Sequence, residues 1–171
     1  MCGIAGILFK SGGEERSAGE ALIDMLDGCQ HRGPDSTGFA LYGHAEEGQL
    51  RLRFLVGEGD EGRAAVMRIK ESLAEYEAEI LEEETVGTNY RVTVTHAGDI
   101  KPFAYAMEHA AKVFSIGASL EIIKDIGSAH DVDERYDVHE FKGSHGLGHV
   151  RLATESEVKP EAAHPFWATG F

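Results

Sequence analysis

Met1-Cys2-Gly3-Ile4-Ala5-Gly6-Ile7 opens the chain. The small second residue permits removal of the initiator methionine, which makes Cys2 the N-terminus. One residue then carries both a thiol and a free α-amine. The thiolate is the nucleophilic form, and a free thiol has a pKa of ~8.5. An α-amine has a pKa of ~7.7–8.0, so near neutral pH it can take a proton and return it. Nucleophile and general base would share one residue, the N-terminal variant of an activated nucleophile. Position alone favours a plainer reading, a small buried cysteine in a first strand. Residues 3–9 are indeed a short apolar run with glycines at 3 and 6, the pattern of a buried strand with close approach. The rest of the chain decides between the two.

Working outward, Gly12-Gly13 reads as a turn or loop, and Ser17-x-x-Glu20 is a capping box. Leu22, Met25, Leu26 and Cys29 recur at helical spacing, which predicts a helix over about 18–29. His31-Arg32-Gly33-Pro34-Asp35-Ser36 is a loop, and Gly38–Gly43 a second buried strand. Arg51–Val56 is strand-like. Val66, Ile69, Leu73, Tyr76 and Ile80 step by three and four, so the spacing predicts a long helix from Gly62 to Glu83. Tyr90, Val92 and Val94 alternate with polar residues as in a half-buried strand. Pro102 suits the first turn of a helix over about 102–112, and 113–117 reads as a further strand. Residues ~45–130 thus have the ingredients of a small α+β insert, and 128–140 read as a polar connection. Gly146–Thr154 is strand-like, and the ending His164–Phe171 stays apolar.

Composition narrows the function classes. A chain of 171 residues and 18.6 kDa makes a single domain with a real core the default expectation. Net charge is −14, from 30 acidic and 16 basic residues, with no basic cluster to serve nucleic acid. No apolar run approaches the ~18 residues of a membrane helix. The start has no basic segment ahead of a long apolar stretch, so no secretory leader is expected. Two cysteines, Cys2 and Cys29, make no disulfide framework, which points to a reducing, cytoplasmic setting. Nine histidines fall in no His-Glu-x-x-His pattern and no Cys-x-x-Cys accompanies them, so no metal is expected. No P-loop occurs, and no flavin or nucleotide cofactor is expected.

Three pieces carry the chemistry: Cys2-Gly3-Ile4-Ala5-Gly6, His31-Arg32-Gly33-Pro34-Asp35-Ser36-x-Gly38, and Gly148-His149-Val150-Arg151-Leu152-Ala153-Thr154-Glu155-Ser156. In this order, with cysteine at position 2, they resemble the class II glutamine amidotransferases. The resemblance implies an α+β Ntn-hydrolase fold, a four-layer αββα sandwich, and covers ~1–43 and ~113–168. The ending Ala153-Thr154-Glu155-Ser156, followed by His164-Pro165-Phe166, is most similar to stand-alone amidotransferase subunits related to glutamate synthase, including the N-methylglutamate synthase type. It implies a glutaminase half-reaction in which Cys2 attacks the glutamine side-chain amide and ammonia passes to a synthase subunit. By the same resemblance Arg151 pairs with the substrate α-carboxylate, a bidentate task that suits a planar guanidinium. Thr154 would hydrogen-bond the same end of glutamine. The Arg32, Gly33, Asp35 loop would lie beside the nucleophile; Arg32 either fixes it by pairing with Asp35 or another acid, or faces substrate. Cys29 reads as an inert core residue. His31 and His149 read as packing or hydrogen-bonding residues.

The resemblance stops short at one point. The family builds its oxyanion hole from an Asn-Gly pair downstream of the arginine motif, whereas the single asparagine here, Asn89, is followed by Tyr90. An acidic anchor for the substrate α-amine is missing likewise. The chain is therefore expected to be an amidotransferase domain incomplete at its C-terminus, weakly active or inactive by itself. Two rivals remain: a different N-terminal-nucleophile amidase, and a non-catalytic interaction subunit that keeps the fold without the oxyanion donors.

Overall fold

The computed structural model describes residues 2–10, 16–154 and 157–169. The expected turn at Gly12-Gly13, the Glu155-Ser156 end of the third motif and the final Gly170-Phe171 lie outside the described residues. In chain order the elements are β1 (Gly3–Leu8), α1 (Ala18–Asp27), β2 (Ser36–Tyr42), β3 (Gln49–Leu55), α2 (Gly59–Glu75), β4 (Glu79–Val86), β5 (Asn89–Thr95), α3 (Ile100–Ala110), β6 (Lys112–Gly117), β7 (Leu120–Ile126), α4 (Ala129–Tyr136) and β8 (His145–Arg151). They divide into two compact units, Met1–His44 with Leu120–Phe166, and Ala45–Ser119 with Trp167–Phe171. The anticipated insert over about 45–130 overlaps the second unit, but its residues 120–130 fall in the first.

In the first unit, Ser17 Oγ accepts the Glu20 N–H at 2.9 Å and starts α1. Leu22, Ile23 and Leu26 fall on one face of that helix and are buried, each contributing ~1.5–3 kcal/mol. They pack on an antiparallel sheet of order β1-β8-β2-β7 together with Phe39, Leu41, Ile123 and Val150. Expected to be buried throughout, β1 is instead an edge strand: Ile4 and Leu8 are 73% and 72% exposed, because its second face is uncovered. Nor are residues 128–140 a plain connection. Ser128 and Asp131 form a reciprocal capping box that starts α4, and Ala129, Val132 and Val138 complete the helix-side core. With so few apolar positions among its charges, that short helix leaves little periodic signal.

The second unit is an antiparallel sheet of order β4-β5-β3-β6 with α2 and α3 on one face. Its core gathers Leu52, Phe54, Tyr90 and Val92 from the sheet with Ile69, Leu73, Phe103 and Met107 from the helices. Here the helix expected to reach Glu83 ends at Glu75. The Glu77 N–H donates to Ala74 O and the Ala78 N–H to Leu73 O, both at 3.0 Å, which is the Schellman closure. The left-handed position is held by Glu77 at φ 54° rather than by glycine, so the stop carries no glycine signal. Ile80, which prolongs the helical spacing by coincidence, belongs to β4 and pairs with Val94. A two-residue turn, Gly87-Thr88, joins β4 to β5, and Gly87 supplies the positive φ (54°) that such a hairpin needs.

A non-glycine residue at left-handed φ costs about 1–2 kcal/mol. Glu77→Gly should therefore raise the stability of the chain by about 1 kcal/mol, allowing for glycine's larger unfolded-state entropy. Urea denaturation of both proteins measures it; a loss of stability would mean that Glu77 makes contacts that outweigh the backbone strain.

Candidate active site

Residue alternation on β8 sets the site. Val150 faces the helix-side core of the first unit, so His145, Leu147, His149 and Arg151 point to the opposite face of the sheet. Gly3 pairs with Val150 on one side and Ser36 with Arg151 on the other. Cys2 is one residue beyond the Gly3–Val150 pair, so it stands beside Arg151 at the same end of the sheet, and alternation sends it to the face of Ile4. Cys2, Arg151 and Ser36 thus form a row across three adjacent strands spaced ~4.8 Å apart. Cys2 is exposed, Arg151 is 9% exposed and Ser36 is fully buried. A Cβ on Gly3 would stand 2.7 Å from Cys29 Sγ, so only glycine lets β1 lie this close to the α1 side. Cys29 itself packs against the helix-side core, away from the row.

The segment from Gln30 to Asp35 is bolted to the end of β8. After a 3-10 turn over Gln30–Arg32, the Gln30 side-chain amide donates to Gly33 O at 2.9 Å. Gly33 then presses on the β8 backbone: a Cβ there would lie 2.4 Å from the carbonyl of Val150 and 2.5 Å from Arg151 N. Asp35 brackets the strand end. Its N–H donates to Arg151 O at 3.1 Å, and its Oδ2 accepts the Ala153 N–H at 2.6 Å. Arg32 and His31 are exposed. The strand expected to run through Thr154 stops at Arg151, and Thr154 is exposed on the bend beyond it.

Further residues gather on this face, among them His149, read from the sequence as a packing or hydrogen-bonding residue. Lys124 of β7 is buried; its Nζ donates to Ala163 O at 3.0 Å and stands 4.5 Å over the Phe166 ring. His149 Nδ1 accepts the His164 N–H at 3.2 Å, and the two imidazoles meet edge-on at 5.2 Å. Burial, reinforced by His164, Arg151 and Lys124, pushes the His149 pKa down to about 4. His149 is therefore neutral at pH 7 and able to accept that hydrogen bond. The surroundings are cationic, unlike the chain as a whole, and suit a carboxylate. Ser36, His149 and Arg151 each stand in a quoted motif; that they are neighbours of one another and of Lys124 was not visible, because only the β2–β8 and β2–β7 registers bring them together.

Among the described residues no three His, Cys, Asp or Glu are grouped to hold a metal ion, and no helix is long and apolar enough to cross a membrane.

Asp35→Ala would leave the Ala153 N–H without its acceptor, an expected loss of about 1–3 kcal/mol in urea denaturation; Asp35→Asn, which keeps a carbonyl oxygen there, should lose less. For His149, the folded pKa lies below the unfolded value of ~6.5, so the unfolded chain binds the extra proton. Its contribution is fully present above pH ~6.5 and is lost as pH falls toward 4, with a slope of at most about 1.4 kcal/mol per pH unit. His130 and His139, raised by Asp27 and Asp133, act with the opposite sign. The difference between wild type and His149→Asn across pH 4–7 isolates the term, and a flat difference would refute it.

No family model matches the chain. It is similar to "Glutamine amidotransferase-like protein GlxB" of Rhizobium meliloti (strain 1021), at 37% identity over 177 aligned positions, 97% of this chain and 54% of the relative. It is also similar to a protein of Methanothermobacter thermautotrophicus (strain Delta H) named "Putative glutamine amidotransferase", at 34% identity over 177 positions, 97% of this chain and 56% of that one. The chain spans about half the length of the curated relatives it matches.

Proposed function

We propose that this chain is the glutaminase part of a class II glutamine amidotransferase of the Ntn-hydrolase type. The observation that carries the reading is the placement of Cys2 beside Arg151 on adjacent strands, at one sheet end and on one face. Four C–C bonds separate the α-carboxylate carbon of glutamine from its amide carbon. An extended glutamine therefore bridges a thiol and a guanidinium carried on strands ~4.8 Å apart. The names of both relatives point to the same substrate.

With Met1 removed, the α-amine of Cys2 takes the thiol proton as Sγ attacks the amide carbon of glutamine. The tetrahedral intermediate collapses to a γ-glutamyl thioester, and the same amine returns the proton to the departing nitrogen, releasing ammonia. Water, deprotonated by the amine, then cleaves the thioester; glutamate leaves and the thiol is restored. Arg151 holds the α-carboxylate through a charge-assisted pair, and Thr154 reaches the same end of the substrate. Gly33 and Asp35 act through β8, which they hold in place. Ammonia passes to a synthase subunit of the glutamate synthase or N-methylglutamate synthase kind. The exposed Ile4, Leu8 and Leu147 suit a face that a second sheet covers in an αββα sandwich. Asn89, the single asparagine, is in β5 of the other unit. Oxyanion donors from elsewhere are needed for full turnover, and losing one such donor costs ~100–1,000-fold.

Treatment with 6-diazo-5-oxonorleucine followed by intact-mass analysis tests the assignment. We expect a protein lacking Met1 with a single adduct on Cys2, absent in Cys2→Ser. Arg151→Ala should slow labelling at least about 30-fold, the loss of ~2 kcal/mol of charge-assisted binding. Retention of Met1 in labelled, turnover-competent protein, or an adduct on Cys29, would overturn the mechanism. An unlabelled Cys2, under conditions that label a chain lengthened to the full extent of its relatives, would favour the non-catalytic subunit.

A further inference from the structure

The fully buried Ser36 hydroxyl stands out in the row at the sheet end. Its Oγ has no hydrogen-bond partner among the described residues. A buried polar group left unpaired destabilises a fold, and native proteins seldom keep one without a use. Ser36 is the registered cross-strand neighbour of Arg151, and the two side chains share a face; such pairs have Cβ atoms ~4.5–5.5 Å apart. Its backbone has little freedom to turn the side chain elsewhere, since Asp35 N–H is bound to Arg151 O and Asp35 O accepts the Gly127 N–H at 3.0 Å. The next residue, Thr37, points to the helix side and is satisfied, donating to Gly127 O at 2.8 Å. Of two neighbouring hydroxyls, the one facing the Cys2–Arg151 side is the one left without a partner.

We infer that Ser36 is a specificity residue whose hydroxyl donates to the α-carboxylate of the substrate held by Arg151. The inference rests on the glutaminase reading and adds a contact to it. A carboxylate offers only acceptors, and a guanidinium fork engages it from one side. A serine O–H on the adjoining strand supplies a donor from the other side. The ligand class is thus an α-amino acid with a free carboxylate, which Ser36 favours over carboxamide or ester analogues because its bond to a charged oxygen is stronger than to a neutral carbonyl. The unpaired hydroxyl is then the resting state of a binding group, kept at some expense of stability.

The test is Ser36→Ala in the 171-residue chain or its lengthened form, whichever is the more active, assayed with L-glutamine and with its α-carboxamide analogue. For glutamine we expect KM to rise about tenfold with kcat within twofold. For the α-carboxamide, whose neutral carbonyl oxygen accepts only a weaker, uncharged bond, KM should rise by about threefold or less. The free variant should melt at a temperature equal to or a few degrees above wild type, because the substitution removes an unpaired buried hydroxyl. Equal KM for glutamine, impairment of both substrates alike, or a marked fall in melting temperature would each overturn the role. If wild type shows neither turnover of glutamine nor labelling of Cys2, the underlying glutaminase reading fails, and the inference with it.

Discussion

The register of β8 between β1 and β2 governs everything at the site. Side chains on a strand alternate with a period of two, so a slip of one residue would send Arg151 into the helix-side core and turn Val150 outward. Apolar matching on the helix side resists that slip, because Val150, Phe39 and Ile123 form one cluster beneath α1 and α4. A second restraint acts at the strand end itself. Gly33 sits so close to the Val150–Arg151 peptide that any side chain would displace it, and Asp35 grips Arg151 O and Ala153 N–H at once. The Gly33–Asp35 loop therefore works as a gauge for β8, and its proximity to Arg151 needs no direct contact with a substrate to matter.

How much of this could be read from the chain follows from which signals are local. Helix α1 announced itself through Ser17 and the spacing of Leu22 and Leu26, and β5 through the alternation of Tyr90, Val92 and Val94. The end of α2 did not, since Glu77 occupies a left-handed site that usually shows as glycine, and Ile80 keeps step with a helix that has already stopped. Charge-rich α4 hid among its own acids. Exposure of one face of β1 was equally hidden, because whether a second layer covers that face is not written in the residues of the strand. Within the candidate site, Cys2, Arg151 and the Arg32-Gly33-Pro34-Asp35 loop stand in three short motifs that the sequence alone displays. Ser36, Lys124, His149 and His164 acquire neighbours only when β2, β7 and β8 are laid side by side, so no local pattern could have joined them.

Charge at the site runs against the charge of the chain. At a net −14 the molecule repels polyanions. Yet Arg151 and Lys124 are buried on one sheet face with His149 and His164 beside them. His149 relieves this crowding by staying neutral, and its unprotonated Nδ1 then accepts the His164 N–H. The neutral ring thus ties the segment around Ala163 and His164 to β8 without adding a third full charge next to Arg151 and Lys124. A small single carboxylate fits such a field, where an extended polyanion would meet the acidic remainder of the surface.

Two kinds of local expense appear in the molecule, and they differ in what they accomplish. Glu77 adopts a costly backbone conformation in the second unit, where glycine would serve the Schellman closure as well. At the end of the first unit's sheet the expense is chemical: a buried serine hydroxyl has no partner among the described residues, directly beside the arginine that faces the row. Strain at a helix end can be relieved by one substitution without touching the β8 register. Relieving the serine would remove a donor placed next to Arg151 on its neighbouring strand. That asymmetry separates a tolerated imperfection from an unpaired donor set beside Arg151, and it supports the proposed binding role of the Cys2 end of β1, β8 and β2.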